Sequence, residues 1–122
     1  MKLQESGEMY LETILVLSEK MPHVRSIDVC EEMGYSKPSV SRAMSILRNN
    51  GYVIMDDSGY LHLTESGLEV ATKIYDRHNT LSAFLTSIGV EEETAVEDAC
   101  RIEHVISDDT MAAIKTFMAK GE

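Results

Sequence analysis

The chain has 122 residues, 43% of them hydrophobic, and 21 acidic against 11 Lys and Arg residues, for a net charge of −10. This is enough for one ordinary globular core or a binding unit with a small appended region. No apolar run approaches the roughly 18 residues of a membrane span. MKLQESGEMY carries no apolar signal core, so a cytoplasmic protein with reduced cysteines at positions 30 and 100 is expected.

In chain order, MYLETILVL (Met9–Leu17) places Tyr10, Leu11, Ile14, Leu15 and Leu17 at helical spacing with one wide apolar face, and Pro22 ends this helix. Ser26 is the expected cap of a short second helix, Ile27–Met33, stopped by Gly34. Ser36 caps a third, whose first turn tolerates Pro38. Its stripe of Val40, Ala43, Met44 and Leu47 runs to Asn49-Asn50-Gly51. The period then falls from about four to two. YVIMDDSGYLHLT reads as strand, turn, strand, with Asp57-Ser58-Gly59 at the turn. Glu65–Ile88 is a long helix broken by Gly89; Glu91-Glu92-Glu93 opens another, and Ser107 with two aspartates opens a last one through Ala119.

Two short helices joined at Gly34, then a hairpin, form a winged helix-turn-helix pattern. Cys30, four residues before Gly34, is expected to be a small buried filler where the helices approach, with Val29, Met33, Val40 and Leu47 as shared core. The outer face of the third helix offers Ser36, Lys37, Ser39, Ser41 and Arg42. Hydroxyls and Lys suit phosphate, and Arg42 can address guanine O6 and N7 with two hydrogen bonds. The charge distribution suits this reading. Residues 34–55 hold three bases (Lys37, Arg42, Arg48) and no acid, whereas residues 56–122 hold five bases and fourteen acids. Nucleic-acid affinity follows the local basic face more than the total.

DACRIEH (98–104) brings a thiol, a carboxylate and an imidazole together. On a continuing helix Cys100, Glu103 and His104 stand at i, i+3 and i+4, one face. Met9 and Glu12 are i, i+3 on the first helix, and His78 lies in the long one. Each has an ordinary reading as well: Met9 as core filler, Glu12 as a solvated residue, His78 as a surface histidine.

The chain resembles the diphtheria toxin repressor and manganese transport regulator family of metal-activated transcription repressors. The resemblance covers nearly the whole chain and rests on EMYLETI, VRSIDVCEEMGYSKPSVSRAMSILRNNGYV, LTESGLEVA, RHNTLSAFLTSIGV and DACRIEHVISDD. It implies a mainly α fold with a small β-hairpin. An N-terminal winged helix-turn-helix domain (1–64) would be followed by a helical metal-binding and dimerisation domain (65–122), with no SH3-like domain. It adds Arg25 to the DNA-binding set of Ser36, Lys37, Pro38, Ser39, Ser41 and Arg42.

By resemblance the metal ligands are Met9, Cys100, Glu103 and His104, as in the iron-responding branch, with Glu12 and His78 matching ligands of the manganese-responding branch. Ser82 and Val96 stand where the iron branch carries a carboxylate and a histidine of its ancillary site. The pattern is therefore a hybrid: a short chain with iron-type primary ligands. The implied function is a homodimeric repressor of metal homeostasis genes, acting on a pseudo-palindromic operator. Its corepressor would be Fe(II) or, as the alternative, Mn(II), and it would have no membrane partner and no small-molecule substrate. The rival readings are a winged-helix regulator answering to a small organic ligand or to oxidation of Cys100, and, more remotely, a metal hydrolase. No HExxH pair supports the hydrolase.

Overall fold

The computed structural model describes residues 5–120, so the first four and last two residues of the two expected domains lie outside the described residues. Six helices and one hairpin follow in chain order: α1 Glu5–Lys20, α2 Ser26–Met33, α3 Lys37–Asn49, β1 Val53–Met55, β2 Leu61–Leu63, α4 Glu65–Ser87, α5 Glu92–Ile102 and α6 Asp108–Lys120. The chain forms two compact units that divide within α4, the first ending at Thr72 and the second beginning at Lys73.

The first unit is built on the stripe read from α1. Tyr10, Leu11, Ile14 and Leu17 are buried with Val29, Cys30, Val40, Met44, Leu47, Val53 and Leu61 in one core. Cys30 is the expected small filler, and its carbonyl accepts the Gly34 N–H at 2.8 Å, where Gly34 takes the left-handed φ of 74° that closes α2. One local expectation is corrected. Ser26 is the first helical residue and Arg25 is the N-cap; the Asp28 carboxylate reaches back to accept the Arg25 N–H at 2.9 Å. A carboxylate three residues into the helix competes better for that orphan donor than a hydroxyl inside the first turn.

β1 and β2 pair antiparallel in the register Val53–Leu63, Ile54–His62, Met55–Leu61. Val53 and Leu61 are buried while Ile54 and His62 are exposed, the alternation that period two requires. The turn is organised by Asp56, one residue before the predicted trio. Its Oδ1 accepts the N–H groups of Ser58 at 2.9 Å and Tyr60 at 3.0 Å, and its Oδ2 lies 2.9 Å from His62 Nε2. The bond to His62, then those from the Tyr60 and Ser58 amides, hold the Asp56 carboxyl below its ordinary range.

The hairpin is joined to α4 through Thr64. Its hydroxyl donates to the Gly51 carbonyl at 2.6 Å and accepts the Gly67 N–H at 3.1 Å, while its own N–H donates to the Tyr52 carbonyl at 3.0 Å. Thr64 thus caps α4.

The second unit comprises the rest of α4 with α5 and α6. Leu81, Ala99 and Met111 form its buried cluster, with Ile102, Ile106 and Ile114 packed against it. Ser107 starts α6 as expected, accepting the Thr110 N–H at 3.1 Å.

Candidate metal centre and nucleic-acid face

In the second unit α5 stops at Ile102, so Glu103 and His104 lie in the turn beyond it and not on a continuing helix. Ile102 and Ile106 are both drawn into the local core and bracket that turn, and Val105 and Ile106 donate their N–H groups to the Ile102 carbonyl at 3.0 Å each. The turn is braced by Arg77. One guanidinium nitrogen donates to the Glu103 carbonyl at 3.0 Å; the other donates to Asp108 Oδ1 at 2.5 Å. A carbonyl orphaned at a helix end is thereby satisfied by a nearly buried cation. Lys73 first, then Arg77, hold the Asp108 carboxyl below its usual range. The sequence offers no periodic signal for Arg77, since its role depends on a carbonyl 26 residues away.

The Glu103 side chain is 1% exposed. Its Oε2 lies 3.0 Å from His78 Nδ1 and its Oε1 3.4 Å from His104 Nε2. Cys100 Sγ is 3.7 Å from the same His78 nitrogen. Four of the six residues singled out from the sequence therefore share one locality: His78, Cys100, Glu103 and His104. A carboxylate is costly to bury unless its oxygens are matched. Here both oxygens face imidazoles and a thiol stands beside one of them. Imidazole, carboxylate and thiolate are the donors that divalent transition metals take, so the chemistry of this set fits such an ion. Met9 and Glu12 belong to the first unit, where both are half-buried and one turn apart on α1.

Also in the first unit, Lys37, Pro38, Ser39, Ser41 and Arg42 are exposed on α3. Ser36 is the N-cap. Its hydroxyl accepts the Ser39 N–H at 3.4 Å and donates to the Ser39 hydroxyl at 3.0 Å, so Ser36 holds the start of the helix. Arg25 is exposed too, in the segment before α2. In the second unit Lys73 and Arg77 face Asp108, and Lys115 faces Asp76. None of the ion pairs among the described residues contains Arg25, Lys37, Arg42 or Arg48. Cations left without carboxylate partners are available to phosphate.

Two family models match the chain end to end: the iron-dependent repressor N-terminal DNA-binding domain over residues 2–65, and the iron-dependent repressor metal-binding and dimerisation domain over residues 64–122. The chain belongs to the iron-dependent repressor family.

A helix-turn-helix-type transcriptional regulator of Methanocaldococcus jannaschii is 34% identical over 97% of this chain and 96% of its own length. The transcriptional regulator MntR of Escherichia coli O157:H7 is 31% identical over 91% of this chain and 72% of its own. The solved structure of the manganese regulator SloR superposes with a TM-score of 0.83 at 27% identity. It covers 98% of this chain, which spans 55% of that one. A manganese-dependent transcriptional repressor in complex with manganese gives a TM-score of 0.85 at 28% identity, over 93% of this chain and 52% of that one. The chain thus spans about half the length of these two solved repressors. As an iron-dependent repressor family member the protein is a metal-dependent transcriptional repressor and not an enzyme. No helix among the described residues is long and apolar enough to cross a membrane.

Proposed function

We propose that the protein is a homodimeric repressor of metal homeostasis genes that binds its operator when loaded with a divalent transition metal, Fe(II) being favoured and Mn(II) second. The observation that carries this reading is the meeting of Cys100 Sγ and the buried Glu103 carboxylate at one nitrogen of His78. Sulfur in an otherwise hard donor set favours Fe(II), since Mn(II) prefers oxygen and nitrogen. His104, Met9 and Glu12 complete the proposed ligand set, the last two through the family resemblance. When bound, the metal supplies positive charge and directed coordination. The chain's own residues do the rest: α4 presents His78, the turn after α5 presents Glu103 and His104, and Arg77 fixes the backbone of that turn. The ligands bind deprotonated, so affinity falls in acid.

Dimerisation through the helices after Glu65 is part of the proposal, and the exposed Ile88, Val96, Val105 and Phe117 supply apolar surface for it. In a dimer the two α3 helices would address half-sites of a pseudo-palindromic operator about 34 Å apart.

The test is operator binding titrated against buffered free Fe(II), Mn(II), Co(II) and Zn(II) under anaerobic, reducing conditions. Fe(II) is expected to act at lower free concentration than Mn(II), and the double change Met9→Asp with Cys100→Glu is expected to shift that preference toward Mn(II). Activation by Mn(II) first, or an unmoved ratio in the double variant, refutes the role given to sulfur. The exposed position of Cys100 beside His78 favours one rival, a thiol-oxidation regulator. DNA binding that ignores chelators but is lost on mild oxidation would select it.

On the reading helix, Arg42→Ala is expected to weaken operator binding by about 1–3 kcal/mol and to relax preference at one base pair per half-site. Lys37→Ala is expected to weaken all sequences alike and flatten the salt slope by about one unit. Binding-site selection with each variant distinguishes them; unchanged base preference in Arg42→Ala would remove Arg42 from the reading set.

A further inference from the structure

The segment entering α2 runs alongside the wing. Val24 is buried, and its carbonyl accepts the Leu61 N–H at 2.7 Å, while His23 and Arg25 on either side of it are exposed. Residues i and i+2 of an extended segment share a side, and here both meet Tyr60. The His23 and Tyr60 rings stack with centroids 4.2 Å apart and planes 7° from parallel. The Arg25 guanidinium carbon sits 4.9 Å from the Tyr60 ring centre, and a guanidinium nitrogen donates to the Tyr60 hydroxyl at 3.3 Å. On its other side Tyr60 is tied into the wing turn, donating its N–H to Asp56 Oδ1 and accepting the Asp56 N–H on its carbonyl, each at 3.0 Å. The Asp28 carboxylate is taken by the Arg25 backbone N–H, and no carboxylate among the described ion pairs reaches the guanidinium.

A long cationic side chain loses much rotamer freedom when it grips a phosphate. A ring that already holds the guanidinium reduces that loss, and one hydrogen bond to the Tyr60 hydroxyl engages only one of its five donors. The Val24–Leu61 hydrogen bond brings this segment beside the wing, and the exposed Arg25 and His23 then converge on the half-buried Tyr60 ring.

We propose that Tyr60 is a positioning residue for DNA binding: with His23 stacked on it, it holds the Arg25 guanidinium ready for a backbone phosphate of duplex DNA at the edge of the surface that α3 reads. This deepens the proposed function and rests on its assignment of the first unit to DNA.

The experiment uses the whole chain with Mn(II) and a mixed-sequence DNA duplex, with affinity measured across a salt series. Arg25→Gln is expected to reduce the slope of log affinity against log salt by about 0.9, the signature of one lost phosphate contact. Tyr60→Leu is expected to weaken binding about three- to tenfold and to reduce the slope in the same sense. Tyr60→Phe, which keeps the ring and loses only the hydroxyl bond, should fall between. The decisive comparison is a double-mutant cycle. In the Arg25→Gln background Tyr60→Leu should cost almost nothing further, because the group it positions is gone. If Tyr60→Leu costs as much in that background as alone, its role is the shape of the wing and the inference fails. It also fails if Arg25→Gln leaves the slope unchanged while the unaltered protein binds DNA well. If the unaltered protein binds no duplex with or without Mn(II), the DNA reading of the first unit fails and takes this inference with it. Urea unfolding of Tyr60→Leu, Arg25→Gln and the double variant secures the comparison against loss of fold.

Discussion

Glu103→Gln is expected to lower the affinity for Mn(II) or Fe(II) by about 100-fold or more and to abolish metal-dependent DNA binding, while leaving the fold in place. The substitution is nearly isosteric, so the packing around this 1% exposed side chain survives. What it removes is the charge and one of two acceptor oxygens, the pair that faces His78 at 3.0 Å and His104 at 3.4 Å. The new amide group presents donors where a cation needs a lone pair. A ligand that binds only the native state at 100 times its Kd adds about 2.7 kcal/mol to unfolding free energy. Urea denaturation with and without Mn(II) therefore reads the site independently of DNA. The unaltered protein should gain stability with metal, and Glu103→Gln should gain about 0.4 kcal/mol or less at the same concentration. His104→Ala should act in the same direction. Equal stabilisation of Glu103→Gln and the unaltered protein would show that this cluster is a structural one.

Gly67→Ala should unfold the first unit far more readily, costing about 3 kcal/mol or more, in opposition to what helix propensity alone predicts. In an ordinary helix this change is favourable by about 1 kcal/mol, because alanine loses less backbone freedom. In this protein a Cβ at position 67 would stand 2.0 Å from the Tyr52 carbonyl oxygen and 3.4 Å from a Leu63 methyl. The oxygen belongs to backbone that cannot swing aside, and it already accepts the Thr64 N–H at 3.0 Å. To relieve the clash, α4 must draw away from the end of the hairpin, which also loosens the Thr64 cap. Thr64→Ala, which removes the cap without a clash, should cost about 1–2 kcal/mol. The check is chemical denaturation of both variants; stabilisation in Gly67→Ala would mean that α4 does not approach Tyr52 this closely.

The type and order of the elements are legible in the chain, because short-range patterns of a few residues set them. The stripe from Tyr10 to Leu17, the cap at Ser36, the left-handed stop at Gly34 and the alternation of Val53 to Leu63 are short-range steric and burial signals. The same holds for the donor residues of DACRIEH, whose types and proximity are visible in the string. What those residues meet depends on how the elements pack. No glycine or proline marks the end of α5; the chain turns at Ile102 because Ile102 and Ile106 are both claimed by the core around Leu81, Ala99 and Met111. That turn takes Glu103 and His104 off the helical stripe on which spacing had placed them, and brings Glu103 to His78, 25 residues earlier. Arg77 as brace, Arg25 on Tyr60 and Gly67 beneath Tyr52 are likewise invisible in the string. Each is defined by a carbonyl or a ring on another element, and the distance between elements is set by how their side chains pack, which no local pattern encodes.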